Sequence, residues 1–131
     1  MTFTGHSLSG VPFTRDECLR RLDKADVARV LLSVKGLPAA LPARIELAER
    51  DRLVISTREN AVLLAARRGD VISLQIDGLG DDNRTWSVTV TGIAAPASPD
   101  SEEVERFKRR LDSGATLVIL PISLVAGHRE L

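Results

Sequence analysis

Short apolar runs recur along the chain, separated by polar or glycine-containing stretches, at a spacing that suits strands better than long helices. Residues 28–34, ARVLLSV, predict a first strand, and Lys35-Gly36 a tight turn, because glycine tolerates positive φ. Residues 37–48, LPAALPARIELA, predict a second strand. Pro38 and Pro42 cannot donate to a ladder, so that strand lies at an edge or carries a bulge. Residues 49–51 turn the chain and residues 52–57, RLVIST, continue a meander of antiparallel neighbours. Residues 71–76, 85–95 and 116–122 supply three further strands, Pro121 limiting the pairing of the last. In the longest of them Trp86, Val88 and Val90 alternate with Ser87, Thr89 and Thr91, which gives two distinct faces.

Three short segments have helical character. Over residues 14–23, Thr14 and Glu17 have capping-box spacing, the hydroxyl accepting from a backbone N–H while the carboxylate reaches back. Cys18, Leu19 and Leu22 then share one face. Residues 60–68, NAVLLAARR, are followed by Gly69 as a stop signal. Ser98-Pro99 predicts a third start, with acidic residues before basic ones up to an end near Gly114. Residues 77–84, DGLGDDNR, predict a loop, and residues 127–131 a tail. The tally is mainly β, about six strands with short peripheral helices and no long crossovers, which favours an antiparallel barrel over a doubly wound sheet. Residues 14–131 make one domain and residues 1–13 a loosely ordered extension.

Composition narrows the function classes. Eighteen basic residues balance eighteen acidic ones, whereas nucleic-acid binders usually carry a basic excess, so no nucleic-acid partner is expected. Trp86 and three phenylalanines are too few for a platform that stacks several bases. No apolar run reaches the ~18–20 residues that span a bilayer, and no secretory signal is visible, so a cytoplasmic protein without a membrane partner is expected. Cys18 is the single cysteine and His6 and His128 the only histidines, which leaves no internal disulfide and no expected metal site. Cys18 reads as a small core filler, the alternative being a reactive thiol in a cationic, exposed setting. His128 reads as a solvated tail residue, the alternatives being catalysis or haem ligation.

No nucleophile elbow, Walker loop or His-rich metal motif is present, and no catalytic residue is identified. One constellation carries chemistry. Ser56, Thr57 and Arg58 close a strand just before the segment that begins at Asn60, so hydroxyls, a guanidinium and helix N-terminal amides meet. That combination suits an anion. Serine and threonine capping followed by a solvated arginine accounts for the same letters.

The succession ARVLLSVKGLPAALPARIELAERDRLVIST, NAVLLAARRGDVISLQID and TWSVTVTGIA resembles the pyridoxamine 5′-phosphate oxidase-like family of flavin-binding split-barrel proteins, in particular its short, actinobacterial-type members. The resemblance covers residues 14–129 and rests on the order and spacing of the pieces. It implies a split β-barrel homodimer with FMN in a groove between subunits. Ser56, Thr57, Arg58 and Asn60 would hold the phosphate, Pro42, Ala43 and Arg44 would lie along the flavin ring, and Trp86 would border the groove. It implies FMN-dependent oxidoreductase chemistry on a small molecule, with deazaflavin as an alternative cofactor. Pyridoxamine phosphate oxidation itself is not expected, because no second basic cluster is evident. Flavin-binding relatives commonly carry Arg-Thr where this chain has Ser56-Thr57, Ser-Lys where it has Ala61-Val62, and Asn where it has Arg44. Those departures leave open a degenerate, non-catalytic barrel that binds a ligand, haem or protein partner.

Overall fold

In the computed structural model, which describes residues 10–108 and 114–131, nine strands form one antiparallel sheet. The elements are β1 (Gly10–Pro12), α1 (Arg15–Lys24), β2 (Val27–Val34), β3 (Leu37–Ala48), β4 (Arg52–Thr57), α2 (Asn60–Arg68), β5 (Val71–Leu79), β6 (Thr85–Ile93), β7 (Ala95–Pro96), α3 (Glu102–Lys108), β8 (Thr116–Pro121) and β9 (Leu124–Glu130). Their order across the sheet is β1-β9-β6-β5-β2-β3-β4-β8-β7. The sheet curls until β6 passes β8 without joining it. A Cβ on Gly92 of β6 would stand 2.3 Å from the carbonyl oxygen of Pro121. The architecture is therefore the mainly β, antiparallel split barrel expected from the sequence.

Local chemistry explains most boundaries. Lys35 and Gly36 both take positive φ, 52° and 78°, as the tight turn between β2 and β3 requires. Gly69 takes the left-handed conformation at φ 70°, and the N–H groups of Gly69 and Asp70 return to the carbonyls of Ala66 and Ala65, which ends α2. Pro38 and Pro42 fall in the half of β3 that pairs with β2 alone; β4 joins only from Arg44 onward. Thr14 caps α1 as expected, its hydroxyl accepting from the Glu17 N–H at 3.2 Å. The other half of the capping box does not form, because the Glu17 carboxylate is taken by Arg20 and Arg21.

Several boundaries differ from expectation. The sheet has nine strands rather than six because residues 124–130, expected to end in a tail, form β9, residues 10–12 of the expected extension pair with it as β1, and Ala95–Pro96, where the expected strand over residues 85–95 ends, pair with β8 as β7. Residues 1–9 of that extension lie outside the described residues, as does the expected end of the third helix over residues 109–113. That helix starts at Glu102 rather than after Ser98: the Ser101 hydroxyl accepts from the Val104 N–H at 3.3 Å and donates to the Ser98 carbonyl at 2.8 Å. β5 runs on to Leu79, so the expected loop shortens to residues 80–84.

Inward side chains of the strands, among them Val30, Leu53, Ile55, Leu74, Val88, Val90, Val118 and Leu120, build one core. The buried faces of α1 (Cys18, Leu19, Leu22) and α2 (Val62, Ala65, Ala66) join that core. A second, smaller cluster lies apart from it, with Leu117 and Ile119 half-buried over Ala48 and Val54. Among the described residues no helix is long and apolar enough to cross a membrane.

Candidate functional site

β3 and β4 run side by side with Arg44 opposite Ser56, and β2 places Val27 opposite Arg44 from the other side. At the end of β4 the chain turns into α2 through Arg58 and Glu59. The turn is held by the Thr57 hydroxyl, which accepts from the Glu59 N–H at 3.0 Å. The Glu59 carbonyl then accepts from Val62 and Leu63, so the amides of Asn60 and Ala61 precede the helical ladder. These pieces border a cleft of about 350 Å³ lined by Val27, Pro42, Ala43, Arg44, Ser56, Thr57, Arg58, Glu59 and Ala115. Its size falls in the ~300–1,000 Å³ range of ordinary ligand sites.

Six of the eight residues singled out in the sequence thus meet in one place. Ser56 and Thr57 are buried, while Arg44 and Arg58 are exposed. The Arg58 guanidinium lies against Gly114, where a Cβ would come 2.8 Å from Nη2, so glycine at 114 makes room for it. Arg44 has no ion-pair partner among the described residues. Among the described residues that line the cleft, two arginines, Arg44 and Arg58, stand with one carboxylate, Glu59. Hydroxyls and guanidiniums together offer what an organic phosphate needs. Val27, Glu59 and Ala115 were missed by sequence reasoning. Val27 and Ala115 carry no chemistry of their own, and only the strand pairing brings them in.

Asn60 opens α2 but does not line the cleft. Trp86 sits elsewhere, at the barrel end beneath α1. Its ring lies flat on Gly78, where a Cβ would come within 2.8 Å of the indole. The Arg21 guanidinium stands 4.4 Å from the Trp86 ring centroid and 4.4 Å from that of Phe13. Trp86 lines a second cavity of about 430 Å³, which meets the first cleft at Val27.

Cys18 is 1% exposed, and burial first, then the Glu17 charge, pushes its thiol pKa up, as for an inert core filler rather than a nucleophile. His128 is half-buried on β9, opposite Ser87 of β6 and Pro12 of β1, and not on a solvated tail. Among the described residues no group of three His, Cys, Asp or Glu comes together as a metal site.

A family model described as pyridoxamine 5′-phosphate oxidase matches residues 14–128. An uncharacterized protein of Mycobacterium tuberculosis, Rv0080, is 35% identical over 130 residues, which cover 91% of this chain and 84% of that one. A FAD-binding protein from Mycobacterium smegmatis superposes with a TM-score of 0.74 at 20% identity, over 92% of this chain and all of the other. A FAD-binding protein from Mesorhizobium loti gives the same TM-score at 18% identity, covering 92% and 97%.

Proposed function

Because the chain belongs to the pyridoxamine 5′-phosphate oxidase family, we propose that the Arg44–Arg58 cleft holds the phosphate of a flavin nucleotide, FMN in the first instance, and that the protein is an oxidoreductase acting on a small molecule. The observation that carries this reading is the meeting of Ser56, Thr57, Arg58 and Arg44 around one cleft. The Ser56 and Thr57 hydroxyls would bind phosphate oxygens. Arg44 and Arg58 would supply the charge that relatives draw from other positions. Position 62, a lysine in many relatives, holds Val62 here, fully buried in the core, so no cation reaches the cleft from that turn. Pro42 and Ala43 would lie along the flavin and keep water from it. The flavin, when bound, supplies the hydride-transfer chemistry, and the chain needs no acid–base pair of its own for that step.

Among the described residues, the half of β3 that pairs with β2 alone, running from Leu37 to Ala43, has no strand on its other side, and Leu37 at its far end is 70% exposed. A second copy of the chain would cover that edge, so the active form on this reading is a homodimer. The threonine face of β6, the other region expected to meet a partner, is engaged within the chain: Thr89 by Gln75 and Thr91 by Ser73 across the strand pair. A lone, buried cysteine suits a reducing compartment, the cytoplasm.

Titration of the purified protein with FMN, FAD and riboflavin tests the reading. FMN should bind with one equivalent per chain and at least about tenfold more tightly than riboflavin, one charge-assisted contact being worth ~1.5–3 kcal/mol. Light scattering at micromolar concentration should give a dimer. Equal affinity for FMN and riboflavin would remove the phosphate site, and a monomer that binds FMN would remove the intersubunit groove. The second reading, a barrel that binds another ligand without turnover, is favoured by Val62 and predicts no saturable binding of any of the three flavins.

A further inference from the structure

The cavity beneath α1 has its own charge pattern. Arg20, Arg21 and Lys24 line it from one side, with Glu17 on the same helix, while Asp77, Ile76 and Trp86 come from the sheet. Glu17 is shared between Arg20 and Arg21, and those two guanidiniums hold its carboxyl below the usual range. Asp77 is answered from outside the cavity by Arg29, whose Nη2 lies 2.9 Å from both carboxylate oxygens. Lys24 has no ion-pair partner among the described residues. The acids of the cavity are therefore already neutralised, and the cations are in excess.

Arg21 is also fixed in place. Its guanidinium lies over both the Phe13 and the Trp86 rings, and its Nε donates to Glu17 at 2.9 Å. The terminal nitrogens of Arg21 have no partner among the described residues. A guanidinium already held by two rings and a carboxylate loses little rotamer freedom on meeting a ligand. The two aromatic walls lower the local dielectric, which strengthens its attraction for an anion. Both flat contacts of the Trp86 ring described above are made by protein, so the indole acts as a wall and not as a stacking platform.

We propose that this cavity is a second binding site, for a small organic polyanion carrying phosphate or carboxylate oxygens, which are held by Arg21 and Lys24. The site does not depend on the reading of the first cleft as a flavin site. The two share only Val27 among the residues that line them.

The test titrates the full chain with glycerol 3-phosphate, with citrate and with neutral glycerol, followed by calorimetry and by the emission of Trp86, the single tryptophan. At least one of the two anions should bind saturably and change the emission, and glycerol should not. The anion that does so identifies the ligand as a phosphate ester or a carboxylate. Lys24→Glu, on an exposed position, should weaken that anion about tenfold or more by reversing one charge, in a chain that stays folded. Arg58→Ala, in the first cleft, should leave it within about twofold. No saturable binding of either anion overturns the proposal. So does an undiminished affinity in Lys24→Glu, or a loss in Arg58→Ala as large as in Lys24→Glu, which would place the anion in the first cleft.

Discussion

Replacing Gly92 by valine should destabilise the protein by about 3 kcal/mol, the upper part of the range for overpacking a well-filled core. The position marks where the two halves of the barrel pass each other. A Cβ there would stand 2.3 Å from the Pro121 carbonyl oxygen and 3.3 Å from a Leu120 side-chain methyl. Neither neighbour can step aside. Leu120 is fully buried, and Pro121 is held by its pairing with Arg52 of β4. The only relief is to part β6 from β8, which exposes the core between them. Denaturant unfolding measures the loss, with Ile93→Ala as a comparison. Ile93 is the next residue on the same strand but is 58% exposed, and its change should stay within about 0.5 kcal/mol. A valine at 92 that costs no more than the Ile93 change would mean that β6 and β8 do not approach this closely.

The double change Thr57→Ala with Arg58→Ala should weaken FMN at least about a hundredfold and leave riboflavin nearly untouched, since each contact to a charged group is worth ~1.5–3 kcal/mol. Only FMN carries the phosphate, so the ratio of the two affinities isolates the contact. Some stability is lost as well. The Thr57 hydroxyl accepts from the Glu59 N–H at the turn into α2, and removing such a cap costs about 1 kcal/mol. That loss weighs on both ligands alike and cancels in the ratio. Parallel loss of FMN and riboflavin would show that the turn had collapsed or that these residues face the ring system instead.

The sequence marks its own punctuation well where one residue type has one physical role. Thr14, Lys35-Gly36 and Gly69 each sit where a cap, a positive-φ turn or a left-handed helix end is required. The cleft was legible for a related reason. Arg44 and Ser56 are brought opposite each other by a short hairpin, so the pairing is local. What could not be read depends on partners far along the chain. β9 looks like a tail because Gly127 interrupts it and charged residues follow. Yet Gly127 is where the Phe13 ring and the Val88 side chain crowd in, each within 2.9 Å of a Cβ built there, and its carbonyl accepts from the Phe13 N–H. Gly10 of β1 is likewise placed by the Arg129 carbonyl, 2.6 Å from a would-be Cβ. Alternation put Trp86 on one face with Val88 and Val90 but could not name its cover, because Arg21 comes from the other end of the sequence.

The seat of Trp86 on Gly78 also constrains how this chain can drift. Any side chain at 78 would enter the indole, and a smaller residue at 86 would leave the glycine bare at the barrel end and Arg21 over an empty space. Neither position can change first without loss, so substitutions at 78 and 86 are epistatic. In descendants of this chain the two sites should exchange their bulk together, glycine for a larger residue as tryptophan gives way to a smaller one, with position 21 surrendering its arginine in the same lineage.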